Sequence, residues 1–129
     1  MDESMNSGLL LLARLLLSIL FIVSGFGKLA GAAGFAGYLG NLGLPGGIVM
    51  AYLVGCLEFF GGLAILVGFQ VRIVASVLAV FCVATALVAH LGPDQSTQFM
   101  KNLGLCGGFL ALAIVGAGAY SVDARSRRA

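Results

Sequence analysis

Charge is scarce in this chain. Its 129 residues include only seven Lys or Arg and five Asp or Glu, while 60% are hydrophobic and the mean hydropathy is +1.11. A soluble domain of this size could not hide that much apolar surface, because small domains have too much surface for their volume. The net charge is only +2, and three of the seven basic residues crowd the last five positions. No basic face for nucleic acid can be built from that supply. The cysteines Cys56, Cys82 and Cys106 form no CxxC pair, which excludes thioredoxin-like exchange and the usual structural-metal spacing. One His cannot give a bis-His haem site within the chain. No phosphate-binding glycine loop follows a strand, and no nucleophile–base motif is present. Lipid is therefore the expected solvent, and no intrinsic cofactor or metal is expected.

What the chain does have is long apolar runs. Four of them, at residues 8–28, 46–68, 71–91 and 100–120, are long enough to cross a hydrocarbon core of ~30 Å. Strand-like alternation is missing, and each span must satisfy its own backbone hydrogen bonds, so helices are the expected form. Turn residues punctuate the connections at "GLPGG", "GFQVR" and "GPDQST". The opening "MDESMNSG" is acidic and no small-residue cleavage site follows, so the first run is expected to stay in the mature protein. The fold class predicted is all-α: one polytopic membrane four-helix bundle. Arg14, Arg72, Arg125, Arg127 and Arg128 fall on one side, and Lys28 and Lys101 on the other. That bias places both termini in the cytoplasm. Between the first two spans, "FAGYLGNL" sets Phe35, Tyr38, Leu39 and Leu42 on one face of a short helix suited to the outer interface.

Helical periodicity assigns each span a seam. A step of ~100° per residue aligns Arg14, Ser18, Phe21, Gly25 and Lys28 on the first span, and Ala51, Gly55, Glu58 and Gly62 on the second. The third collects Arg72, Ser76, Ala79, Val83, Ala86 and His90. The fourth collects Lys101, Gly104, Gly108, Ala111 and Val115. Small residues let membrane helices approach closely, so these seams are expected to face a common axis. The three cysteines fall off the seams and are expected to be packing residues.

Glu58 is the residue most in need of a partner. An intramembrane charge is expensive, commonly functional and usually paired. Counted along the helices at ~1.5 Å per residue, Arg14 lies about 9 Å and Glu58 about 15 Å from the same end. An Arg14–Glu58 pair across the first two spans is the sequence expectation, with a protonated Glu58 as the alternative. Lys28, His90 and Lys101 form a second set at the outer ends of the seams. They are suited to a polar head group or a proton relay, or simply to snorkelling at the boundary.

The stretches "ARLLLSILFIVSGFGKLAG", "LEFFGGLAILVGFQVR", "VAHLGPD" and "KNLGLCGGFLALAIVGAGAYSVD" resemble the DoxX family of small bacterial membrane proteins. The resemblance runs over residues 10–123. Its most specific elements are Arg14, Gly25, Lys28, Glu58, Gly62, Gly68, Arg72, His90, Lys101 and the terminal Ser121 and Asp123. It implies a four-helix protein of the bacterial inner (plasma) membrane. Some members are associated with quinone-linked oxidation of sulfur compounds, others with membrane oxidoreductase assemblies. A membrane subunit of a quinone- or thiol-linked redox system is therefore one expectation, with quinone as the candidate ligand. Its partners would be the lipid bilayer, membrane or peripheral redox proteins, or further copies of the chain. A non-catalytic scaffold and a small-molecule or proton-coupled carrier are the alternatives, so catalysis itself stays open.

Overall fold

The first helix starts where a capping side chain allows it. Asp2 accepts a hydrogen bond from the Met5 amide at 2.8 Å, satisfying one of the donors that a helix start leaves unpaired. From there α1 runs unbroken through Glu3–Ala30. The computed structural model describes residues 2–128, without the side chains of Arg127 and Arg128. Those two members of the expected basic flank thus lie outside the described side chains. Further along are α2 (Ala32–Asn41), α3 (Gly47–Val67), α4 (Val71–Ala89), a 3₁₀ turn (Pro93–Gln95), α5 (Ser96–Val115) and α6 (Val122–Arg128). No strand occurs among the described residues, and α1, α3, α4 and α5 are long and apolar enough to cross a membrane. Leu16, Val23, Leu53, Phe60, Val80 and Ile114 are all exposed on their outer faces, which suits lipid rather than water.

The helices assemble as two pairs, α1 on α3 and α4 on α5. In the first pair the expected seams are the buried ones: Arg14, Ser18, Phe21 and Gly25 in α1, and Ala51, Gly55, Glu58 and Gly62 in α3. The pairs meet over a core that includes Phe21, Ile65, Leu78 and Phe109. There the Phe21 ring meets Phe109 edge-on at 5.3 Å and Phe81 at 6.4 Å between centroids.

The second pair departs in part from expectation, keeping Ala79 and Ala86 of the α4 seam buried. Helix α4 buries Val71, Ala75, Leu78, Ala79, Cys82 and Ala86, leaving Arg72 and Ser76 exposed. Helix α5 buries Asn102, Phe109 and Leu112, leaving Lys101, Gly104 and Ala111 exposed. Phe109 and Leu112 fill the space between the helix pairs, where Phe109 meets the Phe21 ring edge-on. In lipid it is this van der Waals packing, not removal from water, that favours the larger side chains on the core face. Cys82, expected off the seam, sits in the core at 1% exposure.

The fourth helix is also shorter than its apolar run. It stops at Val115 because Gly116, at φ 84°, turns the chain into a loop over residues 116–121. Arg14 enters this loop, donating to the carbonyls of Ala117 at 3.0 Å and Tyr120 at 2.6 Å. Asp123 accepts the amides of Gln70 at 2.7 Å and Val71 at 2.9 Å, capping the start of α4. Its own amide donates to the Gly68 carbonyl at 2.9 Å. Gly68 ends α3 in a left-handed turn, and a Cβ there would strike Arg14 and Ser121. Arg72 reaches from outside to the carbonyls of Ala113 and Ile114 at the end of α5, where a cation suits the helix dipole. The end of the bundle that carries the termini is thereby tied shut.

Candidate functional site

Small residues bring α1 and α3 close enough for charged side chains to meet. Gly25 lies against the backbone of Gly55 and Phe59, Gly55 against Leu29, and Gly62 against Ile22. Beside these contacts Lys28 and Glu58 form an ion pair, with Lys28 Nζ donating to Oε2 at 2.6 Å and Oε1 at 2.8 Å. Ser24, one turn before Lys28, accepts from its ammonium at 3.2 Å and donates to Glu58 Oε2 at 3.4 Å. The ammonium also lies 5.0 Å from the centroid of the Phe35 ring in α2, a cation–π placement. The Glu58 side chain is 7% exposed and the Lys28 side chain 24%. The carboxylate is thus deep, while its partner keeps a path toward the surface.

The expected Arg14–Glu58 pair does not exist. Depth along each span did not set the register; the Gly25 contact did, and it brings Glu58 level with Ser24 and Lys28. Arg14 lies about four turns away at 3.6 residues per turn and serves the loop carbonyls instead. Lys28, grouped at sequence level with His90 and Lys101, is the residue that compensates Glu58.

Between the two helix pairs, away from the tied end, lies a cavity of about 340 Å³. Ser24, Lys28, Glu58, His90 and Lys101 all line it, so four of the five residues expected at a site share one space. Arg14 is not among them. Most of the wall is apolar: Leu20, Phe21, Val54, Phe81, Val88 and Leu105. Helix α2, expected at the outer interface, turns Phe35, Tyr38 and Leu39 onto this space while Leu39 and Ala32 pack beside Ala51 of α3. The far wall carries polar groups that periodicity missed. Asn102 Nδ2 donates to Thr85 Oγ1 at 2.8 Å and to the Cys82 carbonyl at 3.3 Å. His90 Nδ1 lies 3.0 Å from Gln95 Oε1. Asn102 and Thr85 are the lone Asn and the lone Thr of their apolar runs, a signal the sequence offered. The seams drawn through Lys101 and Arg72 pointed to other faces.

The fold and this cavity define a class: a four-helix membrane protein with a largely apolar internal cavity, lined on one wall by an ion pair. The family description DoxX matches residues 9–91, and the chain belongs to the DoxX family. It is 50% identical over 116 residues to the inner membrane protein YqjF of Escherichia coli (strain K12), covering 88% of each chain. To the inner membrane protein YphA of the same organism it is 34% identical over 126 residues, covering 91% of this chain and 89% of that one. It is 33% identical over 102 residues to a Bacillus subtilis (strain 168) protein named "Putative oxidoreductase CatD", covering 79% of this chain and 71% of that one. No solved structure matches it significantly. The chain is a multi-pass inner-membrane protein.

Proposed function

We propose that this protein is the membrane subunit of a quinone-linked redox system, with the cavity between its helix pairs as the quinone site. The cavity carries the proposal. At about 340 Å³ it lies at the lower end of the ~300–1,000 Å³ usual for small-ligand sites, and its wall combines apolar and aromatic side chains with a few convergent polar groups. An apolar ring with two oxygens and a hydrocarbon tail fits that chemistry. The name of the Bacillus relative points in the same direction.

A bound quinone supplies a two-electron, two-proton carrier. The chain's own residues bind, orient and handle protons. Phe21, Phe35 and Phe81 line the space that an aromatic ligand would occupy. The Lys28–Glu58 pair holds an exchangeable proton beside the cavity, and Ser24 fixes its geometry. His90 Nδ1 lies 3.0 Å from Gln95 Oε1, a contact that orients the ring and, among the described residues, leaves Nε2 without a protein partner beside the cavity. Electrons enter or leave through a partner protein that carries the redox group. The tied end of the bundle supports a one-mouthed site over a path through the protein, which disfavours a carrier.

Native purification with solvent extraction and mass spectrometry tests this. Wild-type protein should retain quinone in near-stoichiometric amount, and the Lys28→Met/Glu58→Gln variant should lose it while staying folded. Wild-type protein free of quinone and inert toward quinol in the presence of its co-purifying partners would overturn the proposal.

A further inference from the structure

The amide of Asn102 is held in one orientation by its neighbours. A backbone carbonyl can only accept, so the atom facing the Cys82 carbonyl at 3.3 Å must be Nδ2. Thr85 agrees: its hydroxyl proton serves the carbonyl of Phe81 at 3.0 Å or Cys82 at 3.1 Å, leaving its oxygen to accept from Asn102. Oδ1 is therefore the unengaged end of the amide. No described residue donates to it, although Asn102 is only 7% exposed. Among the described residues, Arg14 Nε is the one fully sealed side-chain polar atom without a partner; Asn102 Oδ1 keeps some accessible surface, and Asn102 lines the cavity.

The opposite wall has nothing spare to give. All three Lys28 protons are directed at Glu58 Oε1, Glu58 Oε2 and Ser24 Oγ, and the Ser24 hydroxyl is directed at Glu58. Lys101 and Tyr38 also line the cavity, but both are exposed and their donors are open to solvent. At depth the described residues thus present an unpaired amide acceptor, against which the free donor is the weak Cys82 S–H. A carbonyl-only ring would leave that acceptor unsatisfied, whereas a ring hydroxyl would complete it.

We infer that the cavity selects a ligand that brings its own ring hydroxyl, a hydroquinone or phenol in preference to the corresponding quinone, with Asn102 Oδ1 as the acceptor that makes the choice. The inference deepens the quinone assignment and rests on it for the ligand class. It makes the reduced form the incoming one. Asn102 is a specificity-determining residue, and the Thr85 hydroxyl and Cys82 carbonyl position it.

Anaerobic titration calorimetry of the purified full-length chain can read this directly, using one short-tailed hydroquinone, its quinone and its dimethyl ether. Wild-type protein should bind the hydroquinone about tenfold more tightly than the quinone or the ether, as expected for one buried hydrogen bond. Asn102→Leu should bring all three within about twofold of one another. Gly107→Ala on the same helix, where a Cβ would meet nothing within 4 Å and which does not line the cavity, should keep the preference. Equal wild-type affinities, a preference that survives Asn102→Leu, or no binding by any of the three would each overturn the inference. If Asn102→Leu does not fold, the wild-type ratio of hydroquinone to ether still decides. A clear ratio in protein that neither retains quinone nor passes electrons would sink the redox assignment alone. Retained quinone with no ratio would sink the Asn102 assignment alone.

Discussion

Gly25 of α1 sits against the backbone of α3 so closely that a Cβ there would lie 2.8 Å from Phe59 Cα and 2.9 Å from the Gly55 carbonyl oxygen. Backbone atoms cannot give way as a flexible side chain can. Gly25→Val should therefore lower stability by the ~1–3 kcal/mol typical of overpacking, and more if the helices part. Gly27→Ala, where a Cβ would meet nothing within 4 Å, is the control and should be neutral. Thermal unfolding in detergent compares the two, and equal losses would remove the close-packing account.

The Lys28–Glu58 pair makes a different demand. Removing one partner of a wholly buried pair costs ~3–5 kcal/mol. Lys28 is partly exposed, so the loss for Glu58→Gln or Lys28→Met should fall below that range. The double variant should be more stable than the sum of the single changes predicts, because it leaves no uncompensated charge. A double-mutant cycle on melting temperature with no coupling would contradict the pairing.

Arg14→Ala should loosen residues 116–121 by removing the donors to Ala117 and Tyr120. Hydrogen bonds to a charged group are worth ~1.5–3 kcal/mol each. Adding Glu58→Gln should bring no rescue, since the two residues are not partners. Limited proteolysis near the loop, read beside the melting curve, tests both parts. Rescue by Glu58→Gln would restore the pairing that the sequence suggested.

Asp123→Ala should cost about 1 kcal/mol through loss of the α4 cap. Asp123→Asn, which keeps one acceptor oxygen, should cost less. The difference can be measured by hydrogen exchange at the Gln70 and Val71 amides, and equal protection in all three proteins would exclude the cap.

The positive-inside rule, applied to the basic residues of the tied end, predicts that this end faces the cytoplasm. Reporters fused after the C-terminus and within residues 43–46 should therefore give opposite signals, the first cytoplasmic. The reverse pattern would put the mouth of the cavity on the cytoplasmic side.

Much of the fold was legible because a membrane span is a one-dimensional signal. Length and hydropathy alone located the four long helices, and a stripe of small residues interrupted by a charge marked the packed faces of α1 and α3. Lys28 and Glu58 line the cavity for the same reason, while His90 and Lys101 reach it from the ends of α4 and α5. The signal weakened on α4 and α5, where charged or small residues drew the seam away from the faces holding Cys82, Phe109 and Asn102.

By itself, then, the sequence determined the solvent, the number of spans and the two helix faces rich in small residues, because these follow from hydropathy and a fixed helical period. Only the tertiary structure decided which charges meet and which amide is left with an unspent oxygen. Register between helices is set by contacts such as Gly25 on Phe59, and rotation by which side chains pack best between the two helix pairs. Neither quantity is a property of any single segment.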